Sequence, residues 1–333
     1  MTLLGATRGL LFFGALTALP FVLGAHWLLN IAVFTLLAAV LASAWNLVGG
    51  YAGYPSLGHA ALFGVGAYAE ALYYSHHGLG GGYGPFVAAV PIGAAVAVAA
   101  LPVAWIAMRT RADVFAIVSI TLLFVVQSLA FNLRGLTGGS QGVAMPIPPF
   151  GNADFERPFY YAVLVLLALV MAVGLAVARS KTGLFLLAVR GDEDRARGVG
   201  VHVTLVKLIA FAASGAFTAA AGAIWAYYVS FVYPQFAIDP LVTIGMVLMT
   251  YLGGRATLWG PVLGAFVIAP AQQYFAYRFG GAQLYLVAYA AVFLLVMLVL
   301  PRGILPTLAD RRRGGSPRTP RRASASMAER AAS

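Results

Sequence analysis

Apolar runs of similar length follow one another along most of this 333-residue chain. The hydrocarbon core of a bilayer is about 30 Å thick, and an α-helix needs about 20 apolar residues to cross it. The runs have that length, whereas the strands of a membrane barrel are shorter and alternate in polarity. Only 9% of the residues are charged and 61% are hydrophobic. The pattern predicts an all-α integral membrane protein, a polytopic helical bundle.

The runs predict about 10 transmembrane helices. Segment 241–253 is short enough to be half of a broken helix, so the predicted count is 8–10. The first 25 residues resemble a signal peptide, but their apolar run is long and another follows at once, so we expect an uncleaved first helix. The predicted spans are 9–29, 31–49, 57–75, 85–107, 113–133, 159–178, 205–229, 241–253, 261–278 and 284–300.

Basic residues predict the orientation of the bundle, because they mark the cytoplasmic side of a membrane protein. The turn 108–112, the loop 179–204 and the C-terminal segment are all basic, and all fall on one side of the ten-helix arrangement. The loops predicted on the other side hold only Arg134 and Arg157. We therefore expect both termini in the cytoplasm.

A broken segment, Gly49–Ala69, reads GGYAGYPSLGHAALFGVGAYA inside this apolar context. Glycine costs a helix interior about 1 kcal/mol relative to alanine. Irregular backbone at membrane depth is tolerated where it is packed in protein or lines a wet cavity. A second break spans residues 253–264, and paired breaks of this kind are typical of transport pathways. Close helix packing without a pathway role remains an alternative for the first break. The similarity between the two broken segments reflects either an internal repeat or chance.

Polar residues at these breaks are the candidates for a substrate pathway. Glu70 is the only acid well inside a span, and an intramembrane acid is a functional hypothesis by default. A hydrogen-bonded or snorkelling carboxylate is favoured there over a proton carrier. The tentative pathway residues are Asn46, Ser56, Gly58, His59, Gly64, Glu70, Gly253 and Gly254.

The loop 179–204 predicts a short amphipathic helix. Leu184, Leu187, Ala188 and Val189 would form its apolar surface, and an acidic-then-basic stretch follows them. Such a helix either lies on the bilayer surface or docks into a groove on a soluble partner, and the residues leave both open.

The segment 302–333 carries eight arginines and, beyond residue 310, almost no apolar side chains. We expect a disordered cytoplasmic tail that follows a transmembrane domain of residues 1–301. Its charge favours anionic lipid, and the lack of aromatic residues argues against nucleic acid as a partner.

The sequence shows no catalytic or metal-binding pattern. It has no cysteine, no P-loop and no histidine–carboxylate spacing suited to a metal, so we assign no catalytic residue and no metal. Energy for transport would come from an ion gradient or from another subunit. Glu70 and His59 are few residues for an ion relay, so an external ATPase is favoured over a stand-alone ion-coupled carrier.

Taken together, the motifs resemble the permeases of branched-chain amino acid ABC importers, the LivM-type subunit. The resemblance rests on SLGHAALFGVGAYA at 56–69, LTGGSQG at 136–142, the loop 183–200 and GGRATLWGPVLGA at 253–265. These motifs cover most of residues 30–300 in the family's order. The sequence departs from the family pattern at Gly191, at Gln141, at Tyr54 with Pro55, and at Glu70.

The resemblance implies a permease subunit without catalytic residues, in the bacterial cytoplasmic (inner) membrane. Its partners would be a second, LivH-type permease, two cytoplasmic LivG- and LivF-type ATPases that bind ATP and Mg²⁺, and a periplasmic or surface solute-binding protein. The solute would be a branched-chain amino acid, with urea, short amides and aromatic or other carboxylic acids as alternatives. The family-like coupling residues are Gly183, Arg190, Asp192, Glu193, Ala196, Arg197 and Gly200.

Overall fold

The computed structural model describes residues 3–22, 25–151, 154–279, 291 and 303–307. Within them the chain is helical, except for turns and one pair of two-residue strands. The helices are α1 Leu3–Val22, α2 His26–Trp45, α3 His59–His77, α4 Gly84–Ala107, α5 Ala112–Asn132, α6 Arg134–Thr137, α7 Glu156–Arg179, α8 Lys181–Gly191, α9 Glu193–Gly198, α10 Val203–Val229, α11 Pro234–Ala237, α12 Pro240–Gly253 and α13 Gly260–Phe279. The shorter pieces are a π-helical segment Asn46–Ala52, a 3-10 turn Gly139–Gln141, and the strands β1 Val143–Ala144 and β2 Phe231–Val232.

Six helical segments in the described part are long and apolar enough to cross a membrane. The prediction of a multi-pass helical membrane protein is therefore confirmed. They differ in burial, because His26–Ala52 lies mostly inside the bundle whereas Gly84–Ala107 is mostly exposed. The six segments are His26–Ala52, Gly84–Ala107, Ala112–Asn132, Glu156–Arg179, Val203–Val229 and Pro234–Gly253.

The predicted boundary between the first two spans is wrong. Segment 9–29 was predicted as one helix, but α1 ends at Val22 and α2 starts at His26, after an extended Ala25. Hydrophobicity could not mark this boundary, because the residues on both sides of it are apolar. The predicted span 284–300 lies outside the described residues, apart from residue 291.

Helix α10 forms the centre of the bundle, where it packs along α3 and α4. Glycines permit these close approaches. A Cβ added at Gly66 on α3 would overlap the Ala219 carbonyl oxygen on α10, and one at Gly222 would overlap the Phe63 carbonyl oxygen. Small residues let transmembrane backbones approach in this way.

Loops that the sequence places on the non-cytoplasmic side meet at one end of the bundle. Strands β1 and β2 pair antiparallel, with Val143 opposite Val232, and so join the segment after α5 to the segment after α10. The Tyr227 hydroxyl also accepts a hydrogen bond of 2.7 Å from the Gly82 N–H of the turn before α4. The loop 133–158 is therefore tied to the segment after α10.

Residues at the start of the predicted tail are ordered. Residues 303–307 contain a helical turn that begins after Gly303, whose φ is 84°. This turn packs closely on the second break, because a Cβ at Gly254 would lie 2.7 Å from Pro306 Cδ. The first residues of the predicted tail are therefore helical, whereas the residues after Thr307 lie outside the described part and their disorder stays a prediction.

Candidate functional site

The irregular backbone of the first break begins at Asn46 as a widened helix and ends where α3 starts at His59. The sequence predicted that span two ends at Gly49 and Gly50, but the backbone continues beyond Trp45 as a buried π-helical segment to Ala52. Gly53, with φ 72°, then ends it in the left-handed region. π-Helical turns are rare and often occur at functional sites.

Asn46 joins the two breaks directly. Its side-chain Oδ1 accepts a hydrogen bond of 2.9 Å from the Ala256 N–H, and its Nδ2 donates one of 3.0 Å to the Thr257 carbonyl. Gly50 lies against the same place, since a Cβ there would be 2.9 Å from the Ala256 nitrogen. Ala256 itself has φ 57°, an uncommon conformation for a residue with a side chain. The two breaks therefore form one contact region.

Polar groups at and before the start of α3 are buried and hydrogen-bonded. His59 is fully buried, and its Nε2 lies 2.7 Å from Ser214 Oγ on α10. Because the Ser214 hydroxyl donates to the Ala44 carbonyl at 2.6 Å, His59 Nε2 must be the donor in this pair. A Cβ at Gly58 would overlap the Ser119 carbonyl oxygen, and the Ser56 carbonyl accepts from the Trp45 indole at 2.8 Å.

Gly64 and Glu70 lie further along α3. A Cβ at Gly64 would lie 2.8 Å from the Ala237 carbonyl oxygen on α11, so this glycine serves close packing. Glu70 is fully buried, and neither of its oxygens has a hydrogen-bond partner among the described residues, so its favoured hydrogen-bonded or snorkelling role gains no support and stays a prediction. Glu70 is 11 residues from His59, or about 16 Å along the helix axis, so it is remote from the irregular backbone that precedes α3.

Gly253 and Gly254 form the turn between α12 and the second break. A Cβ at Gly253 would overlap the Gly260 carbonyl oxygen, and Gly254 has φ 119°, a conformation that favours glycine. Their contacts are with backbone and with the turn at 303–307. A role of these residues in a solute pathway stays a prediction.

The loop 179–204 forms two helices rather than the predicted single one. Helix α8 ends at Gly191, Asp192 is extended at φ −163°, and α9 follows. Asp192 starts α9 as its N-cap, since its Oδ1 accepts from the Arg195 N–H at 3.0 Å, and its Oδ2 lies 2.9 Å from Arg195 Nε. This N-cap starts a new helix, which the amphipathic pattern alone did not separate.

The apolar residues of α8 are divided between two faces. Leu186 and Val189 are buried against the bundle, whereas Leu184 is 66% exposed and Leu187 is 44% exposed. The prediction that Val189 shares a surface with Leu184 and Leu187 is therefore wrong. The outward face is apolar although it belongs to a short helix outside the six candidate spans.

The remaining coupling candidates position this pair of helices. A Cβ at Gly183 would overlap the Val177 carbonyl oxygen, and Ala196 is buried. Gly200, with φ 87°, follows the end of α9. Arg190 reaches the first break, where its Nη1 donates a 3.1 Å hydrogen bond to the Gly50 carbonyl.

Glu193 has a partner that the sequence analysis missed. Its Oε1 accepts hydrogen bonds from Arg197 Nη2 at 3.0 Å and from Lys207 Nζ at 3.2 Å. Lys207 is the fifth residue of α10 and is 1% exposed. A lysine within an apolar span was the available signal, since such residues are rare and usually functional.

A cavity of about 290 Å³ lies beside α2, α10 and α12. None of the tentative pathway residues lines it. Phe63 and Trp225 contribute apolar walls, and Asp239, Gln272 and Gln273 contribute polar groups. Its volume is near the lower limit of about 300 Å³ for ligand sites.

Comparison with known proteins agrees with the helical architecture and the motifs. Residues 27–300 match the family described as "Branched-chain amino acid transport system / permease component". The chain belongs to this family. It is therefore a permease of an ABC-type transport system, a non-catalytic subunit that works with partner subunits.

Two curated relatives are similar to this permease. They are the high-affinity branched-chain amino acid transport system permease proteins LivM of Salmonella typhimurium and Escherichia coli. Each is 27% identical over 314 residues, covering 83% of this chain and 69% of the relative. No solved structure matches the chain.

Proposed function

We propose that this permease imports branched-chain amino acids, driven by ATP hydrolysis on partner subunits. The observation that carries the proposal is the α8–α9 unit, which presents an exposed apolar face outward and holds the first break through Arg190 and Gly50. A soluble partner bound to that face would act directly on broken backbone inside the bundle. The chain itself would bind no cofactor, because ATP and Mg²⁺ would be bound by the ATPases.

The partners and location follow from the family. We expect a second, LivH-type permease, two LivG- and LivF-type ATPases and an extracytoplasmic solute-binding protein, in the bacterial inner membrane. We also expect 8–10 spans with both termini cytoplasmic. The clustering of the basic 108–112 turn with α9 and the start of α10 supports this orientation, since Lys207 Nζ donates to the Met108 carbonyl at 2.7 Å.

The cavity beside α12 supports a small amphipathic solute. Its aromatic and methionine walls suit an aliphatic side chain, and the Asp239 carboxylate suits an ammonium group. Urea and short amides lack an aliphatic group for these walls, so the lining favours branched-chain amino acids. Asp239→Asn should weaken uptake of leucine, and exposed Asp113→Asn is the matched control. Equal uptake by both variants would remove this support.

Charge introduced on the outward face of α8 tests the coupling role. Leu184→Glu with Leu187→Glu should release the ATPases and abolish ATP-dependent uptake, because charges would enter an apolar contact. Leu184→Met with Leu187→Met is the control and should retain both activities. Co-purification of the ATPases and uptake in proteoliposomes are measured. Normal assembly and transport in the glutamate variant would contradict the proposal.

A stand-alone ion-coupled carrier that uses Glu70 is the rival function. Proteoliposomes that contain this subunit alone, with an imposed proton gradient, would accumulate solute under the rival. Uptake that requires the ATPases and persists in Glu70→Gln rejects it. The reconstitution that contains the ATPases also contains the second permease. Loss of transport for lack of the second permease is then not attributed to the lack of ATPases.

A further inference from the structure

Lys207 is a buried cation with a complete set of acceptors. Its Nζ has three protons to donate. They are directed to the Met108 carbonyl at 2.7 Å, to the Tyr54 hydroxyl oxygen at 2.9 Å and to Glu193 Oε1 at 3.2 Å. These acceptors belong to the turn after α4, the segment after the π-helix and the first residue of α9. Lys207 on α10 therefore joins four parts of the chain.

Tyr54 connects Lys207 with the coupling loop a second time. Its hydroxyl donates to Glu193 Oε2, and its ring lies beneath Lys207 Nζ, 4.0 Å from the ring centroid. Burial and the Glu193 carboxylate raise the pKa of Tyr54 above its usual value, so the phenol stays protonated and remains a donor. Lys207, Tyr54 and Glu193 thus form a closed triangle of hydrogen bonds, which we call the buried joint.

Arg190 provides a separate tie between the same two segments. In addition to its hydrogen bond to the Gly50 carbonyl, its stem packs on Gly53, where an added Cβ would lie 3.1 Å from Arg190 Cβ. The coupling helices therefore hold the first break at Gly50, Gly53 and Tyr54. Through Asn46 the same break is bonded to Ala256 of the second break.

We propose that the buried joint transmits movement of α8 and α9 to the first break, so that the coupling helices and the π-helical segment move together as one body. The inference rests on the proposed function and names the residues that carry its coupling step. A buried ion pair adds little stability over apolar packing of similar volume. The hydrogen bonds of the joint are directional, so they fix the relative positions of four segments more narrowly than apolar packing would.

Neutralising the joint in the complete transporter tests the proposal. Lys207→Met should lower the solute taken up per ATP hydrolysed by about tenfold, within the usual 5- to 150-fold range of couplings between sites. ATPase binding should be unchanged, because the outward face of α8 is intact. Arg134→Met, which removes an exposed cation outside α8 and α9, is the control and should retain the normal ratio.

A double variant separates coupling from folding. Glu193→Gln alone leaves Lys207 buried without its counter-charge and should lower the melting temperature. Adding Lys207→Met removes the uncompensated charge and should restore the melting temperature, while uptake per ATP stays low. If the double variant regains both stability and normal uptake per ATP, the joint is only structural and the proposal is overturned.

A cross-link tests the movement as one body without removing the joint. The chain lacks cysteine, so Gly53→Cys with Arg190→Cys introduces one defined pair. An added Cβ at Gly53 would lie 3.1 Å from Arg190 Cβ, closer than the roughly 3.5–4.5 Å of a disulfide, and Gly53 has φ 72°, so a cysteine there is strained. The reduced double variant carries the same strain and is therefore the reference. The oxidised transporter should take up at least as much solute per ATP as the reduced one. Transport that stops on oxidation and returns on reduction would overturn the proposal.

These outcomes differ from failure of the proposed function. If the unaltered complex transports without ATP, or does not bind the ATPases, the importer assignment fails whatever the joint does. If the unaltered complex couples normally and Lys207→Met does too, only the joint is rejected.

Discussion

Glu70 shows at the scale of one residue how burial changes an interpretation. As the only acid well inside a predicted span, Glu70 was expected to reach water or a hydrogen-bond partner. Instead, the carboxyl group is enclosed and both oxygens lack partners among the described residues. A buried polar group without a hydrogen bond lowers the free energy of unfolding by about 1–3 kcal/mol.

Replacing Glu70 with methionine should therefore stabilise the protein. Methionine has similar length and needs no hydrogen bond, so Glu70→Met should raise the free energy of unfolding by about 1–3 kcal/mol. Thermal unfolding in detergent, followed by tryptophan fluorescence, measures the change. Asp113→Leu, at an exposed acid, is the control and should change little. A lower melting temperature for Glu70→Met would mean that the carboxyl group has a stabilising partner.

Asn46 gives the opposite expectation. Asn46→Ala removes both hydrogen bonds between the breaks and leaves the Ala256 N–H without its acceptor. The free energy of unfolding should fall by about 1–3 kcal/mol. Asn132→Ala serves as the control, because Asn132 is exposed and bonds only within its own helix, to Ser128. Equal melting temperatures for the two variants would contradict a bridging role for Asn46.

At the scale of elements, the glycines of α3 and α10 decide how closely these helices pack. Gly66→Ala and Gly222→Ala should each lower the free energy of unfolding by about 1–3 kcal/mol, the usual cost of overpacking. The added methyl group meets a backbone carbonyl of the facing helix in both cases. Gly14→Ala is the control, since nothing lies within 4 Å of its added Cβ. Unfolding midpoints unchanged in all three variants would contradict the packing.

The loop 179–204 shows how much of a helix can be predicted from the local sequence pattern. The apolar residues and the following charges correctly predicted helix. They did not predict that Gly191 ends α8 or that Asp192 starts α9. They also did not separate buried Val189 from exposed Leu187, because a face is defined only relative to the surface on which the helix packs.

The ion pair of Glu193 with buried Lys207 makes charge reversal in this loop a poor test of ATPase docking. Reversing the charges of Glu193 and Arg197 would disturb more than an ATPase contact. Glu193 also pairs with buried Lys207, so its reversal would place two cations together and destabilise the fold. The exposed leucines of α8 provide the more specific test of docking.

At the scale of the whole molecule, the proposed orientation predicts which exposed residues are accessible from each side of the membrane. A membrane-impermeant thiol reagent should label Ser140→Cys in intact cells, and Leu184→Cys only after the membrane is permeabilised. Both side chains are exposed, and the parent chain has no cysteine. Leu186→Cys, at a buried position of α8, should resist labelling in both conditions. Labelling of Leu184→Cys in intact cells would contradict the proposed orientation.

The sequence alone determined the class of this protein, because apolar length and charge depletion depend on composition and not on contacts. It also located both breaks and the loop 179–204, since glycine, proline and charge are local signals. Only the tertiary structure decided that Asn46 bonds one break to the other and that Lys207 meets Tyr54 and Glu193. These partners are separated by 14 to 211 residues. Neither periodicity nor propensity carries information about which distant side chains complete a buried hydrogen bond. The packing of the π-helical segment on the second break, and of α10 on the loops, decides the partners.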